Sequence, residues 1–205
     1  GQLERIRFPL GGMEKRQVRE LAERLGFVNA RRRDSQDICF IPDGDYGAFI
    51  EAYTGRTLPP GDFLDQEGRV VGRHRGAARY TLGQRKGLGL SMGEPVYVCG
   101  KDMAAGAVTV GPESALYARE ILAEDLNWIS MEGLTGPLQV RTKTRSRQAE
   151  QPAVVFPEAG GRVRVVFDEP QRAVTPGQAA VFYEGERVVG GGTITEIFKE
   201  DGHEL

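Results

Sequence analysis

The sequence predicts a mainly β protein of the α+β class: the tail of an α/β domain, then a small central domain, then a C-terminal antiparallel β-barrel of six or seven strands. Three observations carry this. A clear amphipathic helix repeat occurs near the start, at Met13 to Leu25. From Thr54 onward, glycine and proline punctuate short β-type runs. After Tyr117, six such runs alternate with turn signals, the pattern of a closed barrel or sandwich.

In the first element, Val18, Leu21, Ala22 and Leu25 recur at helical spacing between Lys, Arg and Glu, and Gly26 is placed to stop the helix. Phe27-Val28 and the run Ile38 to Ile41 are of strand type, and a helix followed by a short buried strand reads as the end of an α/β sheet spanning residues 1–49. Pro42 to Asp45 is a turn, and Tyr46, Phe49, Ile50 and Tyr53 mark a second short helix. The central domain, residues 50–115, holds a hairpin from Phe63 to Val71 turning at Glu67-Gly68. Strands at Val96 to Cys99 and Ala107 to Val110 follow, joined by a loop from Gly100 to Gly106. The barrel, residues 116–205, is expected from runs at Ile121 to Ala123, Leu138 to Thr144, Ala153 to Phe156, Val163 to Phe167, Ala179 to Tyr183 and Arg187 to Thr195.

Composition narrows the function classes. The 205 residues, 40% hydrophobic and 27% charged, suffice for one large or two small globular cores. No apolar run approaches the ~20 residues that cross a bilayer, and the opening residues lack a signal peptide's apolar stretch, so a cytoplasmic protein without a membrane partner is expected. Two cysteines exclude a secreted disulfide scaffold and leave packed or reactive thiols. The net charge of -2 is not that of a nucleic-acid binder, yet residues 141–172 hold seven cations against four carboxylates.

Within that basic region Arg141, Lys143, Arg145 and Arg147 occupy every second position, so an extended strand would send all four from one face. Such a rail suits phosphate contact; taken by itself, the segment is explained more simply by a solvated barrel face with ordinary salt bridges. Arg162 and Arg164 repeat the spacing, with Val163, Val165 and Phe167 on the opposite, core face. The glycine-rich basic stretch Tyr80 to Leu90 is not a Walker loop, because Lys86 is followed by Gly87 where the phosphate loop needs Ser or Thr. It is either a set of glycine turns or a nucleic-acid backbone contact. Cys39, between Ile38 and Phe40, reads as a packed small hydrophobe or, with Arg31 to Arg33 folded over it, as a thiolate. Cys99 has no comparable cations and reads as structural, and neither His74 nor His203 has a second ligand at metal spacing.

The stretch Asp34-Ser35-Gln36-Asp37-Ile38-Cys39-Phe40-Ile41 resembles the cysteine motif of the bacterial tRNA-specific 2-thiouridylases. Further matches follow in the family's order: Phe8 to Gly11, Tyr80 to Gly89, Gly93-Glu94-Pro95, Gly100-Lys101-Asp102, Asp125 to Trp128, Lys143 to Gln148, Phe167 to Pro170, Ala173 to Ala179 and Gly190 to Gly192. The resemblance spans nearly the whole chain. It implies an enzyme that adenylates the wobble uridine of tRNA, using ATP and Mg2+, and replaces the C2 oxygen with sulfur from a persulfide donor protein.

By the same resemblance Cys39 is the catalytic residue that receives the sulfur, and residues 1–49 are the end of the adenylation domain. Arg145, Ser146 and Gln178 match tRNA-contacting positions, flanked by Lys143 and Arg147. Ser146 stands where an aromatic residue is common in the family, which removes stacking there. The family's nucleotide loop and partner cysteine do not occur in these residues, so the chain alone is expected to bind neither ATP nor Mg2+ and to be inactive. Cys99 does not match the partner cysteine, and no Cys39–Cys99 disulfide is implied. The expected partners are tRNA and the sulfur donor, with no DNA. The competing readings are a non-catalytic RNA-binding barrel of translation-factor type and a protein-interaction barrel.

Overall fold

The computed structural model describes residues 5–32, 41 and 44–198. The chain divides into two compact units, residues 1–49 and 50–205. In the first, α1 (Lys15–Arg24) follows Glu14, whose backbone N–H donates to Gln17 Oε1 at 2.8 Å. Gly26, at φ 72, ends it: its N–H donates to the Glu23 carbonyl and that of Phe27 to the Ala22 carbonyl, both at 3.0 Å. Glycine adopts this left-handed cap without the penalty of a Cβ. The cap corrects the expected strand at Phe27-Val28. Phe27 spends its amide on closing the helix, the chain continues as turns, and both side chains are exposed. Of the other expected strand only Ile41 is described, and it lies in no strand; Ile38, Cys39 and Phe40 fall outside the described residues.

Helix α2 (Tyr46–Thr54) forms where its spacing placed it, started by Asp45 Oδ1 accepting the Ala48 N–H at 2.9 Å. Its Glu51 accepts from the Leu58 N–H at 2.8 Å and from Arg79 Nη2 at 2.7 Å. Beyond it lie β1 (Gly61–Leu64), β2 (Val70–His74), β3 (Tyr97–Asp102) and β4 (Ala107–Gly111). They form a sheet in the order β2-β1-β4-β3, antiparallel except for the β1–β4 pair, where Phe63 lies opposite Val108. Strand β3 reaches Asp102, with Gly100 still paired to Thr109, so the β3–β4 loop is shorter than expected. Phe63, Tyr80, Leu88, Val98, Val108 and Val110 make the core of this domain.

Strands β5 (Tyr117–Trp128), β6 (Leu138–Lys143), β7 (Gln151–Glu158), β8 (Arg162–Arg172), β9 (Ala179–Glu184) and β10 (Arg187–Phe198) close into an antiparallel barrel, β10-β5-β8-β7-β6-β9. Every second residue points inward, as strand geometry demands, so Val140, Val155, Val163, Val165, Phe167, Phe182 and Ile194 fill the interior. Closure depends on the glycine run in β10. A Cβ on Gly190 would stand 2.8 Å from the Asn127 carbonyl oxygen, and one on Gly191 2.6 Å from that of Ala180, so only glycine lets β10 approach both β5 and β9.

The central domain and the barrel meet at Ala173. Its N–H donates to the Leu116 carbonyl at 2.7 Å, and it packs with Cys99, Ala115 and Leu116. Beside it Arg172 lies over the Tyr97 ring at 5.6 Å and donates from Nε to Glu113 at 3.1 Å.

Candidate nucleic-acid interface at one end of the barrel

The 144–150 turn between β6 and β7 and the 173–178 turn between β8 and β9 are fastened together by side chains. Arg145 donates from Nη2 to the Ala173 carbonyl and, at 3.3 Å, to Thr175 Oγ1. Thr144 Oγ1 donates to Gln148 Oε1 at 2.8 Å, Gln148 Nε2 to Gln171 Oε1 at 2.7 Å, and Gln171 Nε2 to the Glu169 carbonyl at 2.6 Å. Thr144 and Gln171 are buried, so each link satisfies a group that would otherwise be costly to desolvate. The second turn is pinned to β10 as well, where the Gly177 N–H donates to the Ile194 carbonyl and the Ile194 N–H to the Gln178 carbonyl, both at 2.8 Å. Ala173 holds φ 52, a left-handed conformation unusual for a residue with a Cβ, stabilised by bonds at both its N–H and its carbonyl.

This arrangement corrects the four-cation rail. Arg141 and Lys143 do share the outer face of β6, but the strand ends at Lys143 and the Thr144–Gln148 bond turns the chain. Arg145 folds back onto Ala173 and is half-buried. It holds the turns together rather than lying open along a strand, while Ser146, Arg147 and Gln178 stand exposed on the two turns it joins. Arg141 pairs with Glu150 at 3.7 Å. On β8, Arg162 pairs with Glu196 at 3.1 Å, and Arg164 pairs with Glu158 at 3.0 Å and Glu120 at 3.5 Å. Lys143 and Arg147 have no carboxylate partner among the described residues.

Sequence reasoning missed the Thr144–Gln148–Gln171 chain. No local pattern signals it: the inward alternation Val163, Val165, Phe167 on β8 already breaks at the exposed Glu169, and Gln171 is buried beyond that break.

Cys39 lies outside the described residues. Cys99 is buried at 4% exposure with its Sγ turned to the Thr109 carbonyl at 3.5 Å, lining a largely apolar cleft of about 280 Å3 at the seam of the two domains. His74 is buried between Phe63 and Tyr80, their ring centroids 5.1 and 5.5 Å away, and its Nδ1 accepts the Gly76 N–H at 3.1 Å. Among the described residues no group of three or more His, Cys, Asp or Glu is placed to hold a metal ion. The glycine-rich loop lacks the hydroxyl that would follow Lys86 in a phosphate loop. Neither that loop nor the described side chains around it have the donor set of a phosphate–Mg2+ site.

Three family models match in succession: a tRNA methyl transferase HUP domain over residues 1–43, a tRNA methyl transferase PRC-barrel domain over residues 47–112, and an aminomethyltransferase β-barrel domain over residues 118–194. Among curated relatives, the tRNA-specific 2-thiouridylase MnmA of Acetivibrio thermocellus is 50% identical over 193 residues, covering 94% of this chain and 54% of the relative. That of Heliobacterium modesticaldum is 52% identical over 195 residues, covering 94% and 51%, and that of Symbiobacterium thermophilum 48% over 187 residues, covering 91% and 48%. The chain thus spans about half the length of these relatives. With three family models in sequence order and about half of its residues shared with these proteins, the chain belongs to the MnmA family of tRNA-specific 2-thiouridylases.

Proposed function

We propose that this chain is the tRNA-gripping and sulfur-carrying part of a tRNA 2-thiouridylase, an enzyme that adenylates the wobble uridine and replaces its C2 oxygen with sulfur. The observation that carries the reading is the cross-linked pair of turns. They hold Ser146 and Gln178 exposed on a rigid barrel end, at positions that the family resemblance assigns to tRNA contact, with the exposed Arg147 beside them. A cation on a turn held by buried bonds meets a phosphate with little further loss of conformational freedom. By the family resemblance, ATP would activate the C2 oxygen as a leaving group, to be displaced when sulfur arrives.

The chemical part assigned to this chain is Cys39. As a persulfide received from a donor protein, it presents a terminal sulfur to C2. The new C–S bond forms there, and the S–S bond to Cys39 is later cleaved by a second thiol, leaving sulfur on the tRNA and a disulfide on the enzyme. Such exchange runs through the thiolate and depends on its access. Single-turnover sulfur transfer to tRNA by the full-length enzyme, with ATP and a persulfide donor, tests this. Cys39→Ser is expected to abolish thiolation with tRNA affinity preserved. Thiolation at the wild-type rate would make Cys39 a packed residue and leave the chain as an RNA-binding module.

A further inference from the structure

The glycine-rich loop between the central strands is built as carefully as the barrel turns. Tyr80 and Leu88 are buried in the central core and Leu82 and Leu90 pack against it, so the loop is anchored at both ends. It is zipped to β3 by the Gly83 N–H on the Val98 carbonyl at 2.8 Å and the Val98 N–H on the Gln84 carbonyl at 2.9 Å. Gln84 spans its interior: its Oε1 accepts the Thr81 N–H and its Nε2 donates to the Lys86 carbonyl, both at 3.0 Å. The tip that these bonds fix carries Arg85, Lys86 and Gly87, all exposed. Neither cation has a carboxylate partner among the described residues, unlike the central-domain cations Arg69, Arg73 and Arg79, which pair with Asp65, Asp62 and Glu51.

The base of this loop touches the barrel turn. A Cβ on Gly83 would lie 3.2 Å from Ala173 Cβ and 3.6 Å from Arg172 Nη1. Lys86 is three residues further on, so at ~3.8 Å per residue its Cα lies within about 11 Å of that of Gly83, at the base that touches the turn. A fixed loop holding two uncompensated cations beside the proposed RNA-binding end has the electrostatic character of a backbone-phosphate contact. We infer that Arg85 and Lys86 extend the RNA surface from the barrel onto the central domain, contacting tRNA phosphates, with Gln84 as the positioning residue. This rests on the proposed tRNA-binding reading. Glu94 lines the 230 Å3 recess beside Arg85 and opposes the contact.

The test is tRNA binding by the chain across a salt series. In the Arg85→Ala, Lys86→Ala double variant the slope of log affinity against log salt becomes shallower by about 1.4 to 1.8, which is about 25- to 60-fold in affinity at 0.1 M relative to 1 M salt. Gln84→Ala weakens binding while both cations remain, Glu94→Gln strengthens it, and Arg73→Gln leaves it unchanged. The thermal midpoint of the double variant stays at the wild-type value, since neither side chain is packed. If Arg147→Ala weakens binding but the double variant keeps wild-type affinity and slope, the inference is wrong and the barrel reading stands. If the wild-type chain shows no salt-dependent tRNA binding, both fall.

Discussion

The outer wall of the barrel and the turns at its end carry cations of the same kind in opposite circumstances. On the wall, Arg141, Arg162 and Arg164 each meet a carboxylate of a neighbouring element. On the turns, Arg147 meets none among the described residues, and Arg145 is spent on backbone and hydroxyl oxygens that hold the turns in place. A run of basic residues thus divides into a part engaged by the fold and a part left uncompensated, and the division follows where carboxylates and bends fall. Exposed pairs like those of the wall contribute about 0–1 kcal/mol each and offer little free charge to a ligand. An uncompensated cation on a fixed turn contributes almost nothing to stability and a full charge to phosphate binding.

Three experiments sharpen this comparison, in falling order of effect. Removing the floor beneath both regions comes first: Phe182, fully buried against Trp128 at 5.9 Å between ring centroids, should cost about 3–5 kcal/mol when replaced by alanine, read by denaturant unfolding. Wall and turns would lose their shape together. Next is Gln171→Ala, which leaves every charge in place and strips the Gln148 partner from the turns. It should lower stability by about 1–3 kcal/mol and weaken tRNA binding without changing the salt slope. Unchanged binding would mean that the turns need no such support.

The smallest effect expected is with pH, and it separates the central sheet from the barrel, whose strands contain no histidine. Burial holds the His74 imidazole below its ordinary pKa of 6.5, so the unfolded chain binds that proton more readily than the folded one. The stability that neutral His74 contributes is complete above 6.5 and is lost as pH falls from there toward the lower folded-state value. Hydrogen exchange of β1 and β2 should accelerate through this window ahead of β7 and β8, and His74→Asn should remove the difference.

Much of the architecture was legible because strand burial writes itself as a period of two. The six barrel runs, the hairpin turning at Glu67-Gly68 and α1 all fall where their patterns placed them. Phe27-Val28 misled because two adjacent apolar residues carry no period, and the cap that consumes them depends on hydrogen bonds from outside the pair. The rail misled for a related reason: alternate spacing through Arg147 continues a strand only if nothing bends it, and the Thr144–Gln148 bond does. The proposed tRNA-contact positions rest on family resemblance, since no spacing singles out Gln178. Contacts between turns 30 residues apart, such as Arg145 with Thr175, have no local signature at all.

The most direct measurement compares tRNA affinity, at one moderate salt concentration, for a turn variant (Arg147→Ala with Gln178→Ala) and a wall variant (Arg162→Gln with Arg164→Gln). Both should stay folded within about 2 kcal/mol of wild type. The turn variant is expected to bind at least about tenfold more weakly and the wall variant within about twofold of wild type. Equal losses in both, or a larger loss from the wall, would contradict the assignment of RNA binding to the barrel end.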